Sequence, residues 1–391
     1  MQELAKSLLV VLALSAVVGY FAGRFPQTQK GTDFADFYIA ARMVREGRGP
    51  AIYDPLAQDE YLKKYAGRVG TYFIHPPYET LIYLPFALFP LYLAYALWSG
   101  ANATLLCATA ALVSKHVLHR WNWRILVACS LLFVPLLLNF MQGQDSLLLL
   151  FLLALALIAA EQKRDFAAGC ILACGLFKFH LLLPAALVAI ACASRKMAAG
   201  FIAVACGLMV VSASISGWSW PVAYAGFLRQ LSGLPLAGIH SGQMANLRGL
   251  VSVVVSSSPR TALWLTVLGS LLVLYLALPP RKNIANCNGC GRLIAANAIL
   301  AAILIGYHLS PHDLTLLLLP MGLILCHLAS TNDVPPRSRI WLIGSLGMLA
   351  LPPAHLWFLH LHLYAITGVL ILLLFGATRA EITRLAARER L

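Results

Sequence analysis

The sequence predicts an all-α, polytopic membrane protein, a bundle of about ten to twelve transmembrane helices. Three observations carry this. Hydrophobic residues make up 60% of the 391 and charged residues only 11%, against about 25% charged in soluble globular proteins. Apolar runs long enough for a helix to cross a bilayer, about 17–25 residues, recur from "SLLVVLALSAVVGYFAG" at 7–23 to "LYAITGVLILLLFGAT" at 363–378. The basic residues fall in short clusters between the runs: Lys115, Arg120 and Arg124; Lys163 and Arg164; Arg195 and Lys196; Arg281, Lys282 and Arg292; Arg337 and Arg339; Arg379, Arg384, Arg388 and Arg390. Loops rich in Lys and Arg stay on the cytoplasmic side, so the clusters set the orientation.

Taken in order, residues 7–23 form an uncleaved first span running outward, since no small-x-small cleavage site precedes a polar start. Residues 24–76 form a first extracytoplasmic loop, and 77–89 a partial or interfacial helix between prolines. The chain returns over 91–113, goes out over 125–141, turns at "QGQD" and comes back over 145–161. The stretch 166–193 lies between two basic clusters, so it goes out and returns as two short legs with "KFH" at the tip. Residues 198–217 cross outward, 218–259 form a second outer segment and 260–278 return. Two further pairs follow, 293–307 with 313–329 turning at "YHLSPHD", and 339–352 with 357–376 turning near "PPAH". Residues 1–391 therefore read as one integral membrane domain with both termini cytoplasmic, as in a bacterial inner membrane, with membrane lipids around it.

Within the first loop, two short amphipathic helices are expected on the membrane surface. Thr32 caps the first and Gly47 ends it; Asp54 caps the second, Pro55 opens it and Gly67 stops it. The net charge of +14 sits in the topogenic clusters. No basic stripe interleaved with aromatics stands ready to stack bases, which argues against nucleic acid. The lone CxxC of Cys287 and Cys290 has no second pair nearby, and a structural zinc needs four ligands; an ordinary reduced loop is expected.

The polar residues at span ends gather on the outer side: Asp33, Asp36, His75, Gln142, Gln144, Asp145, Lys178, His180, Asn246, Arg248, His308, His312 and Asp313. Ionisable groups at membrane depth are costly and mark sites or pathways. Each has a plainer reading as well. Asp33 and Asp36 complement the dipole of the helix they open. Lys178 snorkels or binds an anion. His75 before two prolines is a turn residue. Asp145 and the His312–Asp313 pair cap helices, and Arg248 pairs with lipid headgroups. No HxxH or ExxH pair stands on one helix of the outer side, so neither metal nor cofactor is assigned.

Several stretches resemble glycosyltransferase family 87, membrane mannosyltransferases of the GT-C class typified by the mycobacterial phosphatidylinositol-mannoside enzymes. "DFADFYIAARMVREGRGPAIYD" is similar to the family's D-F…A-A…G…Y-D segment in the first loop. "HPPYETLIYLPFALFPLYLAYALW" is similar to its Y-P-P…P…W segment, with His75 where tyrosine is common. "GQDSLLLLFLLALAL" resembles its G-Q-led run, with Asp145 and Ser146 at the usual polar pair. "AAGCILACGLFKFHLLLPAALVAI" resembles its K-P-led segment, with Phe179 where proline is usual, and "SPHDLTLLLLP" its H-D-L segment.

The resemblance implies a GT-C-like bundle, a polyprenyl-phosphate sugar donor, a lipid or glycan acceptor at the extracytoplasmic face, and inversion at the anomeric carbon. It implies that the first-loop aspartate is the base; Asp33 holds that position and Asp36 the next, variable one. Lys178, Arg248 and His312 are candidates for the donor phosphate. His75, Gln144, Asp145, His180, Asn246, His308 and Asp313 are candidates for substrate contact. The rival reading is a transporter or flippase of an anionic or lipid-linked substrate using Lys178 as its site.

Overall fold

Helices are the only regular structure among the described residues, as expected of a backbone that must satisfy its own polar groups away from water. The computed structural model describes residues 32–119, 121–231, 241–255, 257–278, 290–331 and 333–388. Six helical stretches there are long and apolar enough to cross a membrane, and up to eight if each of two bent pairs is one span. The sequence-based count was higher for identifiable reasons. It included 7–23, which lies outside the described residues, as do Arg120, Arg281, Lys282, Arg390 and both termini. It also took Ser146–Glu161 and Cys290–Ile305, 16 residues each, as full spans. At 1.5 Å per residue these reach only about 24 Å, against a core of about 30 Å.

Contacts divide the chain into two compact units, each assembled from separate stretches. The first takes the described parts of Met1–Ala108, Asn139–Leu148 and Ile202–Ile239; the second takes those of Thr109–Leu138, Leu149–Phe201 and His240–Leu391.

The first unit is built around the helix Phe34–Arg45. It ends in a Schellman motif: Gly47 at φ +77° bonds back to the Val44 carbonyl at 3.1 Å, and the Arg48 N–H to Met43 at 2.7 Å. The following helix, Pro55–Ala66, follows its sequence signals: the Asp54 carboxylate accepts from Leu56 N–H at 3.0 Å, and Gly67 closes it at φ +69°. The expectation that the first helix lies on the membrane surface is not met. Phe34, Ala35, Phe37, Tyr38, Ile39, Ala40, Ala41 and Met43 are all buried. A helix apolar nearly all round belongs inside, and here Pro55–Ala66, Thr80–Tyr83 and Phe86–Leu88 pack on it, with Phe73 and His75 against Phe37. The Ser216 hydroxyl donates to the Gly49 carbonyl at 3.0 Å, and Tyr224 to that of Ile74 at 2.9 Å.

The second unit centres on Cys290–Ile305, whose alanine-rich surface lets neighbours approach closely. It packs against Phe179–Cys192, Leu318–Ser330 and Thr367–Arg388. The stretch Asp165–Cys192 is long enough to cross once, yet it doubles back as two short legs, as expected. The Ser194 hydroxyl bonds to the Asp165 carboxylate. Gly169 and Gly200 bring the start of the next helix, Arg195–Ser216, close to the first leg: a Cβ on Gly169 would lie 2.0 Å from the Met197 carbonyl oxygen. The turn is a short 3₁₀ segment, Gly175–Lys178, with Lys178 at the break (φ −106°, ψ 56°).

Two ends of the second unit differ in chemistry. At one, Arg292 pairs with Glu161 at 2.6 Å and reaches the Val117 carbonyl, while Glu381 joins His327 to Arg384. At the other stand Lys178, His180, His308, His312 and Asp313. Two spans depart from the straight helices expected. Residues 125–141 are instead Trp123–Ser130 and Val134–Gln142, bent by 77°, because Pro135 disfavours helical backbone at the residue before it. The last turn comes at Leu361–Leu363, after Pro352–His360 has extended the chain beyond "PPAH". Cys290, expected in a reduced loop, is disulfide-bonded; Cys287 lies outside the described residues.

Candidate functional site

The acids of the first unit are built on one turn and one helix start. The turn Phe140–Ser146 is held from several sides. Tyr95 donates to the Phe140 and Met141 carbonyls at 2.7 and 2.9 Å, Trp98 to Gly143 at 2.8 Å, and Asn102 to Gln144 at 3.0 Å. Gly143 sits at φ +64°, and a Cβ there would meet the Phe34 Cβ at 2.6 Å, so only glycine allows the turn to press on the helix start. That contact brings Gln142 and Gln144 to Asp33. Gln144 Nε2 donates to Asp33 Oδ2 at 2.7 Å, and the Asp33 N–H reaches Gln142 Oε1 at 3.4 Å. Asp33 is half-buried and makes no side-chain cap to the helix it precedes. Its second carboxylate oxygen has no hydrogen-bond partner among the described residues.

Asp36 is committed elsewhere. It accepts from Arg68 at 2.9 Å and from the Thr71 hydroxyl at 2.7 Å, and Arg68 also holds the Thr32 carbonyl. Burial pushes its carboxyl up to about 7, with Arg68 and then Thr71 pulling the other way. The pair of acids therefore splits: Asp36 ties down the 67–76 segment, and Asp33 is held by Gln144.

His75 lies between the Phe37 and Phe73 rings and pairs through Nδ1 with Glu79 Oε2 at 2.9 Å. Glu79 is fully buried and within hydrogen-bond reach of Asp145, also fully buried. Burial pushes the Glu79 carboxyl up to about 8, His75 opposing and Asp145 adding to it.

In the second unit Lys178 Nζ meets Asp313 Oδ1 at 2.6 Å, both side chains 3% exposed. His312 Nε2 is 3.7 Å from the same oxygen, and His180 and His308 face each other with ring centres 6.4 Å apart. The other oxygen of Asp313 caps its own helical turn by accepting the Ser310 N–H at 2.9 Å. Asn246 is a staple: it caps Leu247–Val254 through Gly249 N–H and donates to the Gly306 carbonyl at 2.6 Å. Arg248 covers the Tyr307 ring at 4.1 Å and bonds to its carbonyl at 3.0 Å. Lys178, His312 and His180 thus face a single aspartate, with His308 against His180 and Arg248 on Tyr307.

The sequence model of glycosyltransferase family 87 matches residues 73–311. The chain belongs to this family. The match takes in His75, the 143–145 turn, Lys178, His180, Asn246, Arg248 and His308, and stops one residue short of His312. The acids of the Phe34–Arg45 helix lie ahead of it. No curated protein and no solved structure gave a match to the chain. Membership of glycosyltransferase family 87 fits an all-helical, multi-pass membrane protein.

The candidates named from sequence fall into two groups, Asp33, Asp36, His75, Gln144 and Asp145 in the first unit and the rest in the second. Among the described residues no three His, Cys, Asp or Glu side chains come together in a way that would hold a metal ion. Sequence reasoning missed Glu79, Arg68 and Thr71. Glu79 carried a usable signal: it is the one acid in the apolar run 73–113, and such a charge is costly without a partner. Nothing local marks Arg68 or Thr71, whose roles arise only when their loop folds onto Asp36.

Proposed function

We propose that the chain moves a sugar, mannose by its family resemblance, from a polyprenyl-phosphate donor to a lipid or glycan acceptor at the extracytoplasmic face, with inversion at the anomeric carbon. The observation that carries this is the Asp33 carboxylate, held through one oxygen by Gln144 while the other has no hydrogen-bond partner among the described residues. The acceptor hydroxyl attacks the anomeric carbon as the bond to the donor phosphate breaks. The bonding electrons leave with the phosphate oxygen, and the acceptor's proton passes to Asp33. The leaving group is already a stable anion, so it calls for cations and donors rather than a strong acid. The candidates for that role, Lys178, Arg248 and His312, are taken from the family resemblance; Lys178 pairs with Asp313 at 2.6 Å. This reading assigns no metal or cofactor.

The test is transfer by the purified chain in nanodiscs, using a short-chain polyprenyl-phosphate carrying labelled mannose. The reading expects label on the acceptor, polyprenyl phosphate released one for one, and loss of both in Asp33→Asn. Donor carried across a liposome membrane with its sugar still attached would overturn it in favour of transport.

A further inference from the structure

Within the second unit, Pro336–Ala350 and Thr367–Arg388 pack together, and Leu342, Ser345, Leu346 and Leu349 of the first are buried. Beside that contact the two helices leave a groove of about 390 Å³, lined among others by Arg337, Ser338 and Trp341 on one and by Leu372, Gly376 and Ala380 on the other. This volume falls within the range of about 300–1,000 Å³ usual for small-molecule sites.

The spacing shapes the groove. Leu372, Gly376 and Ala380 stand four residues apart, so they form one row along the helix. The row is about 12 Å long, apolar throughout and exposed, and it narrows in side-chain size towards Arg337. A Cβ on Gly376 would meet nothing within 4 Å, so tight helix packing does not account for the glycine. Trp341, half exposed, stands one turn from Arg337, as an amphipathic ring does at a membrane interface.

The charge at the mouth is uncompensated. Asp333 is taken by Arg384 and Arg388, and Glu381 by Arg384. Arg337 is exposed and makes no ion pair among the described residues. The end is the one that the basic clusters mark as cytoplasmic, where the membrane surface is negative and basic clefts between spans take anionic headgroups.

We propose that this groove binds one anionic phospholipid, its phosphate on Arg337 and Ser338 and an acyl chain along Leu372, Gly376 and Ala380. The guanidinium and the hydroxyl donate to the phosphate oxygens, and the row of small residues gives the chain a bed that a flat helix face lacks. The site is separate from the proposed sugar transfer and does not depend on it.

The test is quenching of Trp341 fluorescence, read as wild type minus Trp341→Phe. The protein sits in phosphatidylcholine nanodiscs with a low fraction of brominated phosphatidylglycerol or, in a parallel series, brominated phosphatidylcholine. One arginine at the surface is worth about 1 kcal/mol, or about fivefold, so the glycerol lipid should quench Trp341 with about fivefold higher apparent affinity. Arg337→Gln should erase that preference. Gly376→Leu, which fills the groove without a clash, should weaken quenching by both lipids. Equal affinities in the wild type would mean ordinary boundary lipid and overturn the proposal. So would a preference that survives Arg337→Gln, or quenching unchanged by Gly376→Leu. Absence of Trp341 quenching by either lipid would mean that protein fills the groove, from residues 7–23 or a second copy, and would overturn it as well.

Discussion

Gln144 Nε2 donates to Asp33 Oδ2 at 2.7 Å across 111 residues of sequence. A carboxylate held at one oxygen keeps its orientation while the other can receive a proton. Asp33→Asn preserves the shape and the polar contact but cannot take the acceptor's proton. General-base catalysis contributes about 10²–10⁴-fold, so kcat should fall by at least the lower figure with donor binding retained. Steady-state transfer assays with separate donor-binding measurements check this; normal turnover by Asp33→Asn removes the residue from the base role.

Asp36→Asn should cost less in rate than Asp33→Asn and show itself in stability. Arg68 and Thr71 lose a charged partner, worth about 1–3 kcal/mol. Because burial lifts the folded carboxyl from 3.8 to about 7, wild-type stability declines as pH rises across that window and levels above it. Thermal melts between pH 4 and pH 8 should show a shallower decline in Asp36→Asn. An identical slope would mean that Asp36 is ionised throughout.

Lys178→Met and Asp313→Leu should each destabilise the protein by about 3–5 kcal/mol, since each strands a buried charge. The double variant should recover most of that loss, because neither charge is left uncompensated. Unfolding in detergent measures the cycle. If Lys178 also serves the donor phosphate, the recovered double variant should use donor ten- to a hundredfold less well, the worth of a charged hydrogen bond at about 1.5–3 kcal/mol.

Gly143→Ala should fail at the turn. Its φ of +64° and the 2.6 Å approach of a Cβ to Phe34 together cost about 2–4 kcal/mol. The melting temperature should drop, and transfer should drop with it because Gln144 moves off Asp33. A variant of wild-type stability would mean that the turn and the helix start are not pressed together.

Orientation is checked by single cysteines in a cysteine-free background. A cysteine at Glu60, which is exposed in the first loop, should label from outside intact cells. One at Lys163 or Arg388 should not. Outside labelling at Lys163 would reverse the assignment made from the basic clusters.

Much of the local structure was legible because it is written in short-range signals. Asp54–Pro55, Gly47 and Gly67 mark helix ends by backbone chemistry alone. The hairpin at Lys178 was legible from charge, since basic clusters on both sides forbid a single crossing. What failed were features decided by distant chain. Phe34–Arg45 looked like a surface helix because its covering comes from Pro55–Ala66, Thr80–Tyr83 and Phe86–Leu88, whose packing on it no short-range signal announces. Lys178 looked like an open anion site because its partner Asp313 lies 135 residues away. Glu79 was hidden in the same way, because Asp145, which adds to its shift, comes from chain far along the sequence.

The segment Trp220–Leu231 buries Phe227 and Leu231 in the same core as Tyr53 and Phe37, and the Ser212 hydroxyl oxygen accepts a hydrogen bond from the Tyr78 N–H at 3.3 Å. Synthesis therefore runs well past the midpoint of the chain before the first unit has all its parts. Until then the core that holds Phe37 and Tyr53 lacks Trp220, Phe227 and Leu231, and non-local contacts of this kind form slowly and leave intermediates prone to aggregate. Biogenesis of this protein thus carries a waiting period, during which an insertase or chaperone would find its natural substrate in the first forty residues after Gly31.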